Sequence, residues 1–267
     1  RPQHSCCESA EEPPGSINGE VAEHRIQPTG ILRQALVNMY GQWLFALAVG
    51  IAFVSSAWAD CVSYGYCGKD DDSGKPLPCV VKREPVSIDK SVIEGACPAL
   101  LDSSGSSVPA CCDVKQAEVF KSEYKSLTSL GVGKNSACFR NFQNLVCQAF
   151  CSPRQSEFLA INGTVQKEGF EHPSARESVY AVDKAFAERV YATCKDVRTW
   201  VFGIKLMRYM CGKHGNSNCN AERLLEFVGS TWSEGGYSPL KIRHVLTESP
   251  ITVAGKKLEP FKPKKIH

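Results

Sequence analysis

The sequence lacks the local motifs of most enzyme active sites. It has no G-x-S-x-G, H-E-x-x-H or G-x-G-x-x-G segment, and GVGKNS at 131–136 has neither the spacing nor the Ser or Thr after Lys that a phosphate-binding loop needs. Only six of the 267 residues are histidine. These absences argue against catalysis, and we expect the protein not to be an enzyme. We also expect it not to bind nucleic acid.

Apolar runs long enough to cross a membrane are also lacking. The longest run, 43–54, falls short of the roughly 20 residues that a spanning helix needs. It follows the first methionine and ends on Ala-Trp-Ala at 57–59, a pattern typical of secretory signal peptides. We therefore predict a signal peptide over 39–59 with cleavage before Asp60. The alternative is an anchor or a buried helix. Residues 1–38 are treated as a leader that is non-structural or not translated.

Cysteine, in contrast, is abundant. Two of the fourteen cysteines lie in the leader, which leaves twelve in the predicted mature chain. An even number after a secretory signal predicts a disulfide framework formed in an oxidising compartment. Zinc is the alternative, but there is no repeated C-x-x-C pair and histidine is scarce, so no metal site is expected. The neighbours Cys111 and Cys112 cannot easily bond to each other, so each is predicted to reach a different part of the chain.

Helical periodicity dominates the middle of the chain. Apolar residues at steps of three and four predict helices over 113–130, 137–150, 175–196, 199–211 and 221–232. Asp113 and Gln116 have the spacing of a capping box at the first of these helices. Residues 61–112 are expected to be loop-rich, and 240–246 and 251–253 to be strands. The sequence thus predicts an α+β fold, a disulfide-rich helical domain with a small mixed or antiparallel sheet.

Two further features bear on processing and domain limits. The segment NGT at 162–164 is an N-glycosylation sequon, which makes Asn162 a predicted glycan site in a luminal or extracellular loop. Residues 254–267 are rich in Lys and Pro and are expected to begin a basic linker, as in a fragment of a longer protein.

Several cysteine-containing stretches carry a specific resemblance. The segments CVSYGYCG at 61–68, ACCDVKQ at 110–116 and CFRNFQNLVCQAFCSPRQSEFL at 138–159 resemble the amino-terminal domain of the Niemann–Pick type C intracellular cholesterol transporters. The segments YMCGKHGNSNCN at 209–220 and YSPL at 237–240 fit the same pattern. On this resemblance we assign 60–253 to such a domain.

The resemblance implies a function without chemistry. The domain would lie on the luminal side of late endosomes or lysosomes and bind one sterol, such as cholesterol, in a deep apolar pocket, with no cofactor. It would receive the sterol from a small soluble Niemann–Pick type C sterol carrier. It would pass the sterol toward a membrane-embedded region expected beyond the present C-terminus. The resemblance also implies six disulfides: Cys61–Cys111, Cys67–Cys79, Cys97–Cys147, Cys112–Cys151, Cys138–Cys194 and Cys211–Cys219.

The implied sterol pocket has one polar end. Gln116 matches the family glutamine that binds the sterol hydroxyl, whereas Pro78 stands where the family has the partner asparagine. A buried hydrogen-bonding group of this kind penalises ligands without a hydroxyl, because it is then left unpaired. The other matched positions are Ser63 and Tyr66, which replace a tryptophan and a glutamate of the family, Val119 and Phe120 in the walls, and Met210, Pro239 and Leu240 at the entrance.

Two other interpretations stay open at this point. One is a secreted cysteine-rich ectodomain that binds a protein or a vitamin-like ligand, in which the helices form an ordinary core. The other is a divergent copy of the sterol-binding domain that has lost its ligand, an idea suggested by Pro78.

Overall fold

The computed structural model of the protein describes residues 60–101, 105–200 and 202–267. The predicted signal peptide and the leader lie outside the described residues. Within those ranges, no helix is long and apolar enough to cross a membrane.

A mixed five-stranded sheet organises the domain, and β6 is its central strand. β6 pairs antiparallel with β5 along one edge, from Ser174 to Tyr180. Its other edge is shared: β2 pairs with it at Ser174, and β7 runs parallel to it from Glu177 to Asp183. β1 pairs antiparallel with β2, and two small ribbons are formed by β3 with β4 and by β8 with β9. The strands are β1 Cys61–Lys69, β2 Pro76–Arg83, β3 Val86–Asp89, β4 Ser107–Ala110, β5 Leu159–Val165, β6 Ser174–Asp183, β7 Lys241–Thr247, β8 Ile251–Val253 and β9 Lys256–Leu258.

The helices pack around this sheet. They are α1 Lys90–Ile93, α2 Val114–Ser129, α3 Ala137–Cys151, α4 Gln155–Phe158, α5 Lys184–Cys194, α6 Met207–Met210 and α7 Ala221–Val228. α2 begins with the predicted capping box: the Asp113 side chain accepts from the Gln116 N–H (2.8 Å), and the Gln116 side chain accepts from the Asp113 N–H (3.1 Å). The α+β prediction is confirmed.

All twelve cysteines of the described part are paired. The bonds join the same six pairs that the resemblance implies. As predicted, the two neighbours bond to different parts of the chain: Cys111 bonds to Cys61 in β1, and Cys112 bonds to Cys151 at the end of α3. These links fix the start of α2 to both the sheet and α3.

Three predicted elements differ from the structure. The predicted helix over 175–196 begins with a strand, because β6 is buried on both faces and its apolar run therefore lacks the alternation that marks a half-buried strand. The helix itself starts only after Asp183, whose side chain accepts from the Phe186 N–H (3.0 Å). The loop-rich segment 61–112 in fact carries four strands, whose periodicity is interrupted by Gly and Pro.

Most of the predicted helix over 199–211 is a hairpin with arms 197–200 and 202–206. The Thr199 N–H donates to the Ile204 carbonyl at 2.8 Å. Gly203 has a φ of 60°, a left-handed conformation that glycine adopts readily. Only α6, at the end of the predicted segment, is helical.

The segment 254–267 lies against the domain. The Phe261 N–H donates to the Ala181 carbonyl at 2.9 Å, and its ring packs on Phe158 and Phe186. At the end of the segment, the His267 backbone makes two hydrogen bonds with the buried Asn141 side chain, each 2.9 Å long. The His267 N–H donates to Asn141 Oδ1, and Asn141 Nδ2 donates to the His267 carbonyl.

Candidate functional site

A small cavity lies where the edge of β6 changes partner from β2 to β7. Its volume is about 10 Å³, close to the minimum that holds one water molecule. The walls are mostly aliphatic, with the Ser63 and Ser178 side chains as their polar members. The lining residues are Ser63, Pro78, Ala149, Phe150, Leu159, Ile161, Ala175, Ser178, Leu240 and Ile242.

Gln116 is buried at the start of α2. Its side chain contacts β1, the strand that also carries the wall residue Ser63. Its Oε1 accepts from the Gly65 N–H at 2.8 Å, in addition to closing the capping box. Gly65 lies two residues from Ser63 on β1. The Gln116 Nε2 atom, in contrast, is buried and has no hydrogen-bond partner. The side chain therefore caps the helix with its oxygen and keeps its nitrogen available as a donor.

An unpartnered buried donor is unusual in a folded protein. The great majority of buried polar groups are paired, and leaving one unpaired costs about 1–3 kcal/mol. A ligand oxygen placed at Gln116 Nε2 would remove that cost. The described part of the chain thus holds a buried donor without a partner and, nearby, a mostly aliphatic cavity that Gln116 itself does not line.

A second buried glutamine holds the cavity wall in place. Gln155, from the segment CSPRQS, is fully buried, and its Oε1 accepts from the N–H groups of Val62 (2.7 Å) and Ser63 (3.0 Å). Its Nε2 donates to the Ser63 hydroxyl at 3.1 Å and to the Ala149 carbonyl at 2.8 Å. Gln155 therefore fastens β1 to the end of α3, on opposite walls of the cavity.

The cavity brings together only some of the predicted site residues. Ser63, Pro78 and Leu240 meet in its wall. Phe120 lies one layer behind it, with its ring centre 5.2 Å from that of the wall residue Phe150. The other predicted positions do not line this cavity: Gln116, Tyr66, Val119, Met210 and Pro239.

Tyr66 lies opposite Pro78 in the β1–β2 ladder but does not line the cavity. Burial, reinforced by the carboxylates of Asp113 and Glu123, raises the pKa of Tyr66 well above its usual value. The phenol therefore stays protonated at physiological pH. Burial likewise raises the pKa of Tyr124, on α2, above its usual value.

Several wall residues were missed by the sequence analysis. Ser178 was assigned to a helix, so its position between β5 and β7, opposite Ile161 and Ile242, could not be foreseen. Phe150 lies on the apolar face of α3, and that helical pattern alone does not distinguish a cavity wall from ordinary core. Ile242 lies in a predicted strand, but the sequence did not indicate which strand would pair with it.

Among the described residues, no group of three or more His, Cys, Asp or Glu side chains is arranged to hold a metal ion. His244 is half-buried on β7, and desolvation lowers its pKa to about 4. It is therefore neutral at physiological pH, next to the Tyr180 ring at 5.6 Å.

Comparison with known proteins identifies the family of the chain. The family model described as "Niemann-Pick C1 N terminus" matches residues 58–267. The chain is 31% identical to the NPC1-like intracellular cholesterol transporter 1 of Homo sapiens over 212 residues. The matched region covers 75% of this chain and 15% of the human protein. The chain is 31% identical over 199 residues to the protein of the same name in Rattus norvegicus, covering 70% and 14%.

A third relative is the NPC intracellular cholesterol transporter 1 of Sus scrofa, with 28% identity over 200 residues, or 71% of this chain and 15% of that protein. The chain thus spans about one seventh of the length of these relatives. Because the family model covers most of the sequence, the chain belongs to the Niemann-Pick C1 N-terminal family.

Proposed function

We propose that this domain binds a cholesterol-like sterol and transfers it without catalysing a reaction. The observation that carries the proposal is the buried, unpartnered Nε2 donor of Gln116. The Oε1 atom of the same side chain accepts from Gly65 N–H, two residues along β1 from Ser63 in the wall of an aliphatic cavity. A sterol is a rigid hydrocarbon with one hydroxyl, whose oxygen can accept from this donor. The names of the relatives, which are cholesterol transporters, support the same ligand class.

Sterol entry requires the cavity to widen. Pockets for ligands of this size measure about 300–1,000 Å³, far above the about 10 Å³ found here. The edge of β6 has a gap between its two partners, since β2 is paired at Ser174 and β7 only from Glu177 onward. Separation of β2 from β7 at this gap would open the cavity without breaking the β5–β6 ladder.

Binding would then be driven by burial of apolar surface. Removal of sterol surface from water contributes about 25 cal/mol per Å², and the Gln116 donor would set the orientation of the ligand. Pro78 offers no hydrogen-bonding side chain, so the hydroxyls of Ser63 and Ser178 are the side-chain polar groups that the wall itself retains. The single aromatic ring in that wall, Phe150, does not favour a planar vitamin-like ligand held between two rings.

The proposed setting is the lumen of the secretory and endolysosomal system. Six disulfides are typical of proteins that fold in an oxidising compartment. We assign the small soluble sterol carrier as the donor of the ligand and a membrane-embedded region of the longer protein as its destination.

The test is equilibrium binding of radiolabelled cholesterol and 25-hydroxycholesterol to the chain secreted from animal cells, with the 3-epimer of cholesterol as competitor. Saturable binding that the epimer competes poorly is expected. A folded, disulfide-bonded sample that binds neither sterol would refute the proposal.

Gln116→Ala tests the hydroxyl contact separately. We expect it to weaken cholesterol binding by about three- to tenfold, the value of one neutral hydrogen bond, and to leave binding of cholest-5-ene, which lacks the hydroxyl, nearly unchanged. Asp113→Ala is the matched control, because it breaks the capping box but leaves the Gln116 side chain in place. Equal losses for both ligands would mean that Gln116 is structural only.

A further inference from the structure

The hairpin with arms 197–200 and 202–206 presents two large aromatic side chains to solvent. Trp200 is 74% exposed and Phe202 is 91% exposed. Isolated apolar side chains are common on protein surfaces, but two aromatic rings at one hairpin tip form a protruding apolar feature. They lie on an element that hydrogen bonds hold in place, including the 2.8 Å bond from Leu206 N–H to the Val197 carbonyl.

Phe202 occupies this tip at a cost in backbone energy. Its φ is 59°, and the φ of the following Gly203 is 60°. For a bulky residue such as Phe a positive φ is an outlier, whereas Asn adopts it several times more often. Neither backbone preference nor burial therefore explains Phe at this position.

Trp200 fixes the tip beside the end of α2. Its backbone N–H donates to the Leu130 carbonyl (3.3 Å), its indole N–H donates to the Ser129 carbonyl, and its side chain lies against Gly131. The end of α2 also borders a groove of about 1,140 Å³, because Thr128 is one of the residues that line it. Trp200, which is bonded to Ser129 and Leu130, therefore lies beside the groove.

The groove is strongly basic. Its lining contains eight Lys and Arg side chains and a single carboxylate, Glu94. Lys125, Lys134 and Lys265 are exposed and form no ion pair with any other residue in the described ranges. The basic side chains are Lys121, Lys125, Lys134, Arg140, Arg154, Lys262, Lys264 and Lys265.

We propose that the aromatic tip and the basic groove form one surface that docks on an anionic lipid bilayer. Trp and Phe suit the boundary between headgroups and acyl chains, and basic side chains beside them are attracted to anionic headgroups. A bilayer accommodates a convex tip, whereas a protein partner would need a matching cavity. This surface is distinct from the cavity and goes beyond sterol binding, since it brings the domain itself to a membrane.

The experiment is flotation of the secreted chain with phosphatidylcholine vesicles, with and without phosphatidylserine. We expect binding to the anionic vesicles and its loss at high salt. Phe202→Asn should weaken it by about tenfold through the lost apolar burial, and this change should not unfold the domain because Asn tolerates the left-handed conformation. The double variant Lys125→Ser, Lys134→Ser should weaken binding by about fivefold for each lysine.

Matched controls are Tyr237→Asn, which removes another exposed aromatic ring (62% exposed), and Lys82→Ser, which removes an exposed lysine outside the groove. Neither should change flotation. Equal binding by wild type and Phe202→Asn would overturn the proposal, as would binding to soluble polyglutamate with no binding to vesicles, which would indicate an acidic protein partner. Sterol binding measured on the same variants should be unaffected, so a failure here is distinguishable from a failure of the proposed function.

Discussion

Gly229 supports the strand that forms one wall of the cavity, and Gly229→Ala should disrupt it. The Gly229 carbonyl accepts from the Ile242 N–H on β7 at 2.8 Å. A Cβ at residue 229 would lie 1.9 Å from the Ile242 carbonyl oxygen and 3.1 Å from His244 Nδ1. Real Cβ atoms essentially never come within 3.0 Å of such an atom, so β7 must move by more than 1 Å.

The expected cost combines two effects. Overpacking of a well-packed site costs about 1–3 kcal/mol, and loss of the buried hydrogen bond adds about 1 kcal/mol. We therefore expect the free energy of unfolding to fall by roughly 2–4 kcal/mol. Because Ile242 lines the cavity, sterol affinity should fall as well.

The measurement is urea unfolding under non-reducing conditions, followed by far-ultraviolet circular dichroism. Gly133→Ala is the control: a Cβ at that position meets no atom within 4 Å, and its φ is not positive. A Gly→Ala change at such a site is expected to stabilise by about 0.4–1 kcal/mol. If Gly229→Ala behaved like this control, the close approach of α7 and β7 would be refuted.

Three further predictions concern single side chains. Gln155→Ala should lower the free energy of unfolding by about 3–5 kcal/mol, since it removes four hydrogen bonds at a buried site; urea unfolding should show no such loss for the exposed Gln166→Ala. His244 keeps a pKa of about 4 in the native state against an ordinary 6.5, so the unfolded chain binds more protons between these values. Stability should therefore be complete above pH 6.5 and fall by about 3 kcal/mol as the pH drops to 4, and His244→Phe should flatten that dependence; an unchanged slope would contradict it. Asn162 is exposed on β5, so secreted chain should shift in mobility on glycosidase treatment, and Asn162→Gln should abolish the shift.

The parts of the fold that depend on neighbouring residues could be predicted. The capping box of Asp113 and Gln116 spans four residues, and the helix after it has one apolar face, so both were visible in the sequence. The state of the Gln116 nitrogen was not visible, because the capping pattern uses only the side-chain oxygen as an acceptor. The oxygen also accepts from Gly65, 51 residues earlier, and the buried nitrogen has no partner; both facts depend on the tertiary structure.

The cavity itself depends on contacts between distant strands. Ser178 lies opposite Ile161 on one side and Ile242 on the other, a pairing that combines an antiparallel and a parallel neighbour. Because β6 is buried on both faces, its sequence resembles a buried helix as closely as a strand. Local periodicity therefore could not place these residues in one wall.

The adjacent cysteines at 111 and 112 also determine how the domain carries mechanical force. Tension applied between Cys61 and Cys151 passes through two S–S bonds and the one peptide unit that joins Cys111 to Cys112. Stretches of 50 and 39 residues are bypassed, which removes about 300 Å of extensible chain. Gln116 lies inside the second bypassed stretch, so pulling on these two cysteines would leave it unloaded while the disulfides are intact.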